Sequence, residues 1–207
     1  MKKVLSLVAL LGFLGTHSVF AMTETQIEAA QFIASKGIIN DNSTDITQYK
    51  LSDNITRREM LKVMMNLSGK TVVDSCTGKF SDLDASDWGC KYAEAALAEG
   101  YIAQNATFRP NDEVTQIESL KMIMQAKGIE RNDADDWREG YTSKAVSEGI
   151  IEDAYVEYDT AGLRGWIFAN AARSYADFSV ETVVDETELT PEEEAFFKIL
   201  SEGILGQ

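Results

Sequence analysis

The chain has 207 residues, 44% of them hydrophobic and 9% aromatic, which is enough apolar material for one or two packed domains and excludes a disordered chain. Its formal net charge is −15. Strong acidity without a basic stripe argues against nucleic-acid binding, because no cluster of cations is present to release counterions from phosphates.

Residues 1–21 have the pattern of an export signal. Two lysines precede an apolar run at 4–14 that is too short to span a bilayer, and the segment ends on small residues that a signal peptidase recognises. We expect an exported mature chain that begins near Met22 and has no transmembrane segment, since no later apolar stretch approaches ~18 residues. Cleavage removes both lysines, taking the net charge from −15 to −17 (−15 − 2), and removes His17, the only histidine. Histidine-dependent nucleophiles and histidine-ligated zinc are therefore excluded from the mature chain.

The rest of the chain repeats one pattern. Four pairs of residues share a spacing of 49 positions, the first being Trp88 and Trp137 (137 − 88). The other pairs are Tyr92 with Tyr141, Gly100 with Gly149, and Val114 with Leu163. An earlier copy surrounds Gly37 and is followed by a longer loop. The sequence therefore predicts three copies of one unit, near 25–70, 79–128 and 132–178.

Each unit is predicted to be a helix, a loop and a second helix. In the second unit the first helix has an apolar face that begins at Trp88, and Gly100 ends it in the left-handed conformation that favours glycine. Pro110 marks the loop, because proline cannot continue a helix. One such hairpin cannot bury its own apolar face, whereas three can bury a common core. The predicted fold class is therefore all-α.

The second helices of the first two units begin with the same signal, a threonine three residues before a glutamate. This spacing is typical of a capping box, in which the two side chains satisfy backbone N–H groups reciprocally. The pairs are Thr56 with Glu59 and Thr115 with Glu118. In the first unit Arg57 and Arg58 also place two guanidinium groups at the helix start. They are either surface residues of an ordinary helix start or, helped by the helix dipole, ligands for a carboxylate.

Cys76 and Cys90 are the two cysteines of this chain. An even count in an exported protein favours a disulfide, which would close a loop of about 15 residues and stabilise the fold by roughly 3 kcal/mol in the chain-entropy model. Two inert buried thiols or a redox pair are the alternatives.

An acidic turn between these cysteines places oxygen atoms at alternating positions, as a calcium loop does. Its residues are Asp82, Asp84, Ser86 and Asp87. The glycine and the glutamate that such a loop requires are replaced by Asp87 and Ala93. A solvated turn that caps the next helix is therefore the preferred interpretation, and no metal is predicted.

After Phe178 the composition becomes acidic, which indicates a linker at 180–189. Thr190 then provides an N-cap and Pro191 a first helical residue, so a last helix is predicted over 190–207. We expect this helix to dock on the domain; a partner-binding tail is the alternative.

The second unit resembles a full S-layer homology (SLH) repeat. The matching residues are Phe80-Ser81-Asp82-Leu83, Trp88, Ala95-Ala96-Leu97, Gly100-Tyr101-Ile102, Thr107-Phe108-Arg109-Pro110-Asn111, Val114-Thr115 and Glu118. Ile55-Thr56-Arg57-Arg58-Glu59 resembles the Ile-Thr-Arg-Ala-Glu signature of that family. The resemblance implies three tandem helix-loop-helix repeats in a pseudo-threefold bundle, here followed by a C-terminal helix. The predicted boundaries are signal peptide 1–21, repeats 22–75, 76–128 and 129–179, acidic linker 180–189 and C-terminal helix 190–207.

The resemblance also implies a function. SLH triplets hold exported proteins non-covalently on the cell envelope by binding an anionic, often pyruvylated, cell-wall polysaccharide in grooves between repeats. Matched residue by residue, the groove is expected to use Arg57, Asp82 and Trp88, with Arg58 adding positive charge. The expected partners are a cell-wall polysaccharide or peptidoglycan-linked polymer and other envelope proteins, without a cofactor.

The other repeats depart from the family pattern. In the second, Gln116 stands where the arginine is expected, and in the third Arg164 lies one position early. The first repeat has Thr25 in place of the tryptophan. One groove at most is therefore predicted to be fully equipped, and Trp88 and Trp137 are as compatible with a core role as with a sugar platform.

Two other functions fit the same scaffold. The missing signature residues favour a structural or protein-binding use in which sugar binding has been lost. A cell-wall glycan hydrolase would need two carboxylates about 5–10 Å apart, and no pair can be singled out among the 34 acidic residues. The prediction is a non-catalytic protein at the cell surface.

Overall fold

The structure is a computed structural model that describes residues 25–39 and 45–179. The predicted signal peptide at 1–21, the acidic linker at 180–189 and the C-terminal helix at 190–207 lie outside the described residues.

Within these two ranges the chain forms six α-helices, one short 3₁₀ helix and no strand, so the all-α class is confirmed. The helices are α1 (25–35), α2 (Arg57–Ser68), α3 (Cys90–Ala98), α4 (Gln116–Ala126), α5 (Trp137–Ser147) and α6 (Arg164–Arg173), with the 3₁₀ helix at Ile46–Tyr49. None of the helices in this part of the chain is long and apolar enough to cross a membrane.

The starts of α2 and α4 carry the capping boxes. The amide and the hydroxyl of Thr56 both donate to the Glu59 carboxylate, at 2.9 and 2.7 Å. At α4 the Thr115 amide donates to Glu118 at 3.1 Å, and the Thr115 hydroxyl accepts from the Glu118 N–H at 3.3 Å. The N-cap of α6 is Leu163, whose side chain cannot cap a helix.

The three segments that precede α2, α4 and α6 pair with one another in a closed ring. The Ile55 N–H donates to the Gly162 carbonyl, the Gly162 N–H to Val114, and the Val114 N–H back to Ile55, at 3.3, 2.8 and 3.1 Å. Antiparallel bridges flank this ring, so that each segment contacts the other two. They join Asn54 to Leu163, Thr56 to Glu113 and Thr115 to Ala161. The pseudo-threefold arrangement stays a prediction, which this ring supports.

The bridges also define which residues are equivalent. Thr56, Thr115 and Leu163 occupy the same place in the ring, at spacings of 59 (115 − 56) and 48 (163 − 115). The second and third units keep a spacing of 49 as far as Gly100 and Gly149, but the starts of α4 and α6 are only 48 residues apart. The loop before α6 is therefore one residue shorter than the loop before α4. The prediction that Arg164 lies one position early is wrong. Arg164 is the first residue of α6, just as Arg57 is the first residue of α2.

The core lies where α2 packs against α3 and α4, and where α4 packs against α5 and α6. A larger apolar cluster surrounds α2 and includes α1 and α6. Its largest fully buried side chains include Ile33, Ile55, Met60, Leu61, Met64, Met65, Phe80 and Phe168. A smaller cluster joins α4 to α5, and Trp166 packs against both clusters.

Cys76 and Cys90 form the expected disulfide, with their Cα atoms 5.7 Å apart. Next to it lies Glu94, a buried carboxylate on α3. Its oxygens accept from the Thr77 N–H at 2.9 Å, the Thr77 hydroxyl at 2.8 Å and the Lys79 N–H at 3.0 Å. Burial raises the pKa of Glu94, but these donors outweigh it and leave the pKa below its ordinary value. The carboxylate thus anchors the segment that carries Cys76.

Candidate binding grooves

A cavity of about 230 Å³, the first groove, lies between α2 and α4. Four chemically distinct side chains line it, from the starts of α2 and α5 and from α4. They are Arg57, Glu118, Lys121 and Trp137. Its wall is completed by apolar residues of the loop after α3, including Tyr101, Ile102 and Phe108.

Arg57 is held in place from three directions. Its Nε donates to the Phe108 carbonyl at 3.0 Å, and the guanidinium carbon lies 5.2 Å from the centre of the Phe108 ring. Its Nη1 is 3.7 Å from Glu118 Oε1, which is an ion pair but too long for a hydrogen bond. Burial lowers the pKa of the guanidinium, and the Glu118 charge acts in the opposite direction. The terminal N–H groups of a fixed, charged guanidinium can therefore still bond a ligand.

A second groove of about 200 Å³ lies where α6 meets α2. Its lining repeats the four side-chain types of the first groove. They are Arg164, Glu59, Lys62 and Trp88.

Arg164 is held as Arg57 is. Its Nε donates to the Tyr49 carbonyl at 3.1 Å, its guanidinium carbon lies 5.0 Å from the centre of the Phe168 ring, and its Nη1 is 3.7 Å from Glu59 Oε1. Burial raises the pKa of Glu59, while its hydrogen bonds to Thr56 and the charge of Arg164 lower it, and the result lies below the ordinary value.

The tryptophan of each groove is a partly exposed plate. Trp137 is 40% exposed and Trp88 is 45% exposed, so neither is a core residue. A lysine ammonium lies near each ring, with Lys121 5.3 Å from the centre of Trp137 and Lys62 5.9 Å from that of Trp88. In each groove two cations and one carboxylate leave a local charge of +1 (1 + 1 − 1), in a chain whose formal charge is −15.

The structure separates two residues that the family pattern suggested would act together. Arg57 lines the first groove and Trp88 the second. The third repeat, which has both residues, likewise contributes Trp137 to the first groove and Arg164 to the second, which the order of residues along the chain does not reveal. Arg58 lies beside the second groove, where its Nη1 donates to Asp87 at 3.0 Å and its guanidinium carbon is 5.5 Å from the centre of the Trp88 ring.

Asp82 is not among the residues that line either groove in the described part of the chain. Its carboxylate accepts from the N–H groups of Phe108 and Arg109, both at 2.7 Å. Desolvation raises the pKa of Asp82, but these two donors outweigh it and leave the pKa below its ordinary value. Asp82 therefore holds the loop whose Phe108 carbonyl fixes Arg57.

The remaining acidic side chains of this turn also have local partners. Asp84 accepts from the N–H and the hydroxyl of Ser86, at 2.8 and 2.6 Å. Asp87 accepts from the Gly89 N–H at 2.8 Å as well as from Arg58. These contacts fit a turn that leads into α3.

From the sequence, Arg164 was considered only as a substitute lying one position early, and Glu118 only as a cap. A usable signal was present, because both helix starts contain glutamate followed three residues later by lysine. The pairs are Glu59 with Lys62 and Glu118 with Lys121. Residues three apart share a helix face, so each pair faces the same groove.

A third groove, of about 370 Å³, is built differently. Its lining comes from α6, from the loop after α5 and from the start of α1, and it includes Thr25, Glu152, Asp153, Tyr155, Trp166, Asn170 and Arg173. Gln116 is the first residue of α4, as Arg57 and Arg164 are the first residues of α2 and α6, but it does not line this cavity. Its side-chain oxygen accepts from the Glu157 N–H at 3.1 Å. Arg173 is paired with Glu152.

Residues 79–118 match the family model of the S-layer homology domain. This segment runs from the anchored loop before α3 to the first turn of α4, and it supplies Trp88, Phe108 and Glu118 to the two similar grooves. The predicted resemblance to the SLH family is thereby confirmed.

Among curated proteins, the chain is similar to an amylopullulanase of Thermoanaerobacterium thermosulfurigenes, with 32% identity over 103 residues, or 48% of this chain and 5% of that protein. It is 33% identical over 92 residues to endo-1,4-beta-xylanase A of Thermoanaerobacterium saccharolyticum, covering 44% of this chain and 8% of that protein. It is 26% identical over 126 residues to the middle cell wall protein of Brevibacillus brevis, covering 58% of this chain and 12% of that protein. The chain thus spans only a small part of each relative.

Proposed function

We propose that this protein is exported and binds an anionic, often pyruvylated, cell-envelope polysaccharide non-covalently in its first and second grooves. The observation that carries the proposal is the repeated set of arginine, glutamate, lysine and tryptophan, held with closely similar distances in both grooves. One set could be a chance arrangement of a helix start. Two sets on different helices indicate a shared task.

Each side chain has a role that suits such a ligand. The guanidinium offers a planar pair of donors to a carboxylate, at the positive end of a helix dipole. The lysine adds a second cation, and the tryptophan offers an apolar face to a sugar ring. At physiological salt, charges farther away than ~8 Å are largely screened. A local charge of +1 can therefore attract an anionic glycan even though the whole chain is acidic.

The S-layer homology match and the similarity to a protein named for the cell wall support a place at the cell surface. The likeness to two named glycan-degrading enzymes covers only 5% and 8% of their length, which supports a non-catalytic role for the shared part. The proposed partner is a cell-wall polysaccharide or another peptidoglycan-linked polymer.

The test is co-sedimentation of the mature protein with purified cell-wall sacculi, before and after removal of their attached polymer. Wild type is expected to pellet only with the polymer present. Arg57→Ala and Arg164→Ala should each weaken binding at least about tenfold, because two sites on one polymer act with avidity, and the double variant should stay in the supernatant. Arg131→Ala removes the same charge from an exposed position outside the three grooves and should pellet like wild type.

A double variant that pellets as well as wild type would reject the grooves as the binding sites. Wild type that stays in the supernatant would favour the second candidate, a structural or protein-binding use of the scaffold. The observation behind that candidate is that α4 begins with Gln116, where α2 and α6 begin with Arg57 and Arg164. An assay for hydrolysis of cell-wall glycans would distinguish both of these functions from that of a glycan hydrolase.

A further inference from the structure

We propose that reduction of the Cys76–Cys90 disulfide creates a binding site for a divalent cation of the zinc type. The three ligand atoms are the two cysteine sulfurs and one carboxylate oxygen of Glu94, which lie within 4.8 Å of one another. None of these three residues lines a groove, so the proposal does not depend on the function proposed for the grooves.

The distances between the ligand atoms suit a tetrahedral ion. Glu94 Oε1 lies 3.7 Å from Cys76 Sγ and 3.8 Å from Cys90 Sγ. Zinc bonds of about 2.3 Å to sulfur and 2.0–2.2 Å to oxygen place the sulfur and oxygen ligands of a tetrahedral site roughly 3.5–3.7 Å apart. The two sulfurs are bonded in the oxidised chain and have to separate to about 3.8 Å in such a site. Rotation of the two side chains permits this separation, because their Cα atoms are already 5.7 Å apart.

Two of the ligands share one face of a helix. Cys90 is the first residue of α3 and Glu94 lies four residues later, about one turn along the same face. The helix start also favours a thiolate, because the positive end of the helix dipole stabilises negative charge there. Cys76, on the loop between α2 and α3, supplies the third ligand from the opposite side.

The hydrogen bonds of Glu94 leave one of its oxygens able to bind an ion. The Thr77 N–H lies 2.9 Å from both carboxylate oxygens, while the Thr77 hydroxyl donates to Oε2 at 2.8 Å and the Lys79 N–H to Oε1 at 3.0 Å. With an ion on Oε1, both Thr77 donors still bond Oε2 and the Lys79 N–H still bonds Oε1. Hydrogen bonds of this kind orient a ligating carboxylate, and their loss typically costs about ten- to a hundredfold in metal affinity.

The donor atoms select the class of cation. Two thiolates and one carboxylate favour Zn²⁺, Co²⁺ or Cd²⁺ over Ca²⁺ and Mg²⁺, which prefer oxygen ligands. Cys90 and Glu94 are buried, whereas Cys76 is partly exposed. An ion, and a water molecule as its fourth ligand, can therefore reach the site from the Cys76 side.

The change between the two forms is a balanced exchange. Two equivalents of an external thiol reduce the disulfide to two thiols and become a disulfide themselves. Binding of the cation then displaces both thiol protons. Oxidation of the bound thiolates by an organic disulfide forms the Cys76–Cys90 bond again and releases the cation and two external thiolates.

The experiment is an anaerobic titration of the full mature chain with Co²⁺, after reduction by a phosphine that is then removed. The reduced wild type is expected to bind one Co²⁺ per chain and to show the near-ultraviolet absorption of cobalt–thiolate bonds, which Zn²⁺ should abolish by displacement. The oxidised chain has the same sequence and is the matched control, which should show no such absorption. A reduced chain that binds no Co²⁺, or an equal response of the oxidised chain, would overturn the proposal.

Glu94→Gln distinguishes a three-ligand site from a simple pair of thiols. Loss of the carboxylate should weaken Zn²⁺ binding by the reduced chain at least about tenfold. Glu99→Gln is the matched control, because Glu99 lies at the other end of α3 and pairs with Lys70, and it should bind Zn²⁺ like wild type. Equal affinities of Glu94→Gln and wild type would show that Glu94 is not a ligand and would reject the site.

A measurement on wild type alone tests the proposal even if Glu94→Gln fails to fold. Zn²⁺ should raise the urea midpoint of the reduced chain and leave that of the oxidised chain unchanged, because an ion that binds the folded form better than the unfolded form stabilises it. Removal of Zn²⁺ by a chelator should reverse the shift. A reduced chain whose urea midpoint does not respond to Zn²⁺ would contradict a site formed in the folded protein.

Discussion

Glu94 shows how one residue can hold a loop that has no regular structure. Its carboxylate is 8% exposed and takes hydrogen bonds from two backbone N–H groups and one hydroxyl. A buried charge is tolerated only when such donors replace the lost water. Without this carboxylate the chain from Thr77 to Lys79 would leave those N–H groups unpaired beside the disulfide.

Glu94→Gln is expected to lower the free energy of unfolding at pH 7 by about 1.5–3 kcal/mol, the usual contribution of hydrogen bonds to a charged group. Urea titration would measure the difference. Glu99→Gln is the matched control, because Glu99 forms a surface ion pair with Lys70 and should change stability by no more than about 0.5 kcal/mol.

The difference between wild type and Glu94→Gln should depend on pH. Because folding lowers the pKa of Glu94, its stabilisation is present above the unfolded pKa, ordinarily about 4.3, and is lost as the pH falls through the folded value. Melting curves of wild type and Glu94→Gln at pH 7, 5 and 3 should therefore show a difference in melting temperature that becomes smaller as the pH falls. An advantage of wild type that persists undiminished at pH 2 would contradict this account.

At the scale of elements, the three equivalent helices α2, α4 and α6 begin in two ways. Two have a capping box, and α6 begins after Leu163, which is 46% exposed and has extended backbone angles of −71° and 142°. Position 163 thus has the backbone of an N-cap without the side chain of one. The ring of backbone hydrogen bonds maintains this helix start where the local signal is missing.

Thr115→Ala should destabilise the protein by about 1 kcal/mol through loss of the cap, and Leu163→Thr should stabilise it by about 0.5–1 kcal/mol by adding one. The midpoints of urea unfolding would measure both changes in stability, provided that the dependence of the unfolding free energy on urea concentration is the same for each variant and wild type. If Leu163→Thr proves destabilising, Leu163 contributes more by packing than its exposure indicates, and the explanation by capping is wrong for α6.

The whole molecule is held together by contacts between segments far apart in the chain. The ring of Ile55, Val114 and Gly162 ties the three helix starts together, and the grooves lie between the elements that it brings together. Each groove therefore depends on more than one repeat. Even the third repeat, which has both Trp137 and Arg164, places them in different grooves.

The disulfide acts on the whole molecule through its unfolded state. Reduction of Cys76–Cys90 should lower the free energy of unfolding by about 3 kcal/mol, as expected for a closed loop of about 15 residues. Intact mass before and after reduction would register the two added hydrogens, and urea titration of both forms would give the free-energy difference. The Cys76→Ser, Cys90→Ser double variant should match the reduced form. Free thiols in the purified exported protein would contradict the bond.

The sequence by itself determined the features that depend on neighbouring residues. Two helix starts were predictable because the hydrogen bonds of a capping box form within one turn, between Thr56 and Glu59 and between Thr115 and Glu118. Gly100 marks the end of α3 because the backbone there has a φ of 74°, which glycine adopts without strain. The all-α class and the similarity of 79–118 to an SLH repeat follow from such local signals.

Only the tertiary structure decided which distant residues meet. Arg57 lines the same groove as Trp137, and Arg164 the same groove as Trp88, because each groove is assembled from segments far apart in sequence. Arg164 corresponds to Arg57 only because the loop before α6 is one residue shorter than the loop before α4. The backbone bridges between the three segments show this correspondence. Local propensity acts over one helical turn, whereas a groove between repeats is defined by packing, so the sequence identified the helix starts and the fold assembled the sites.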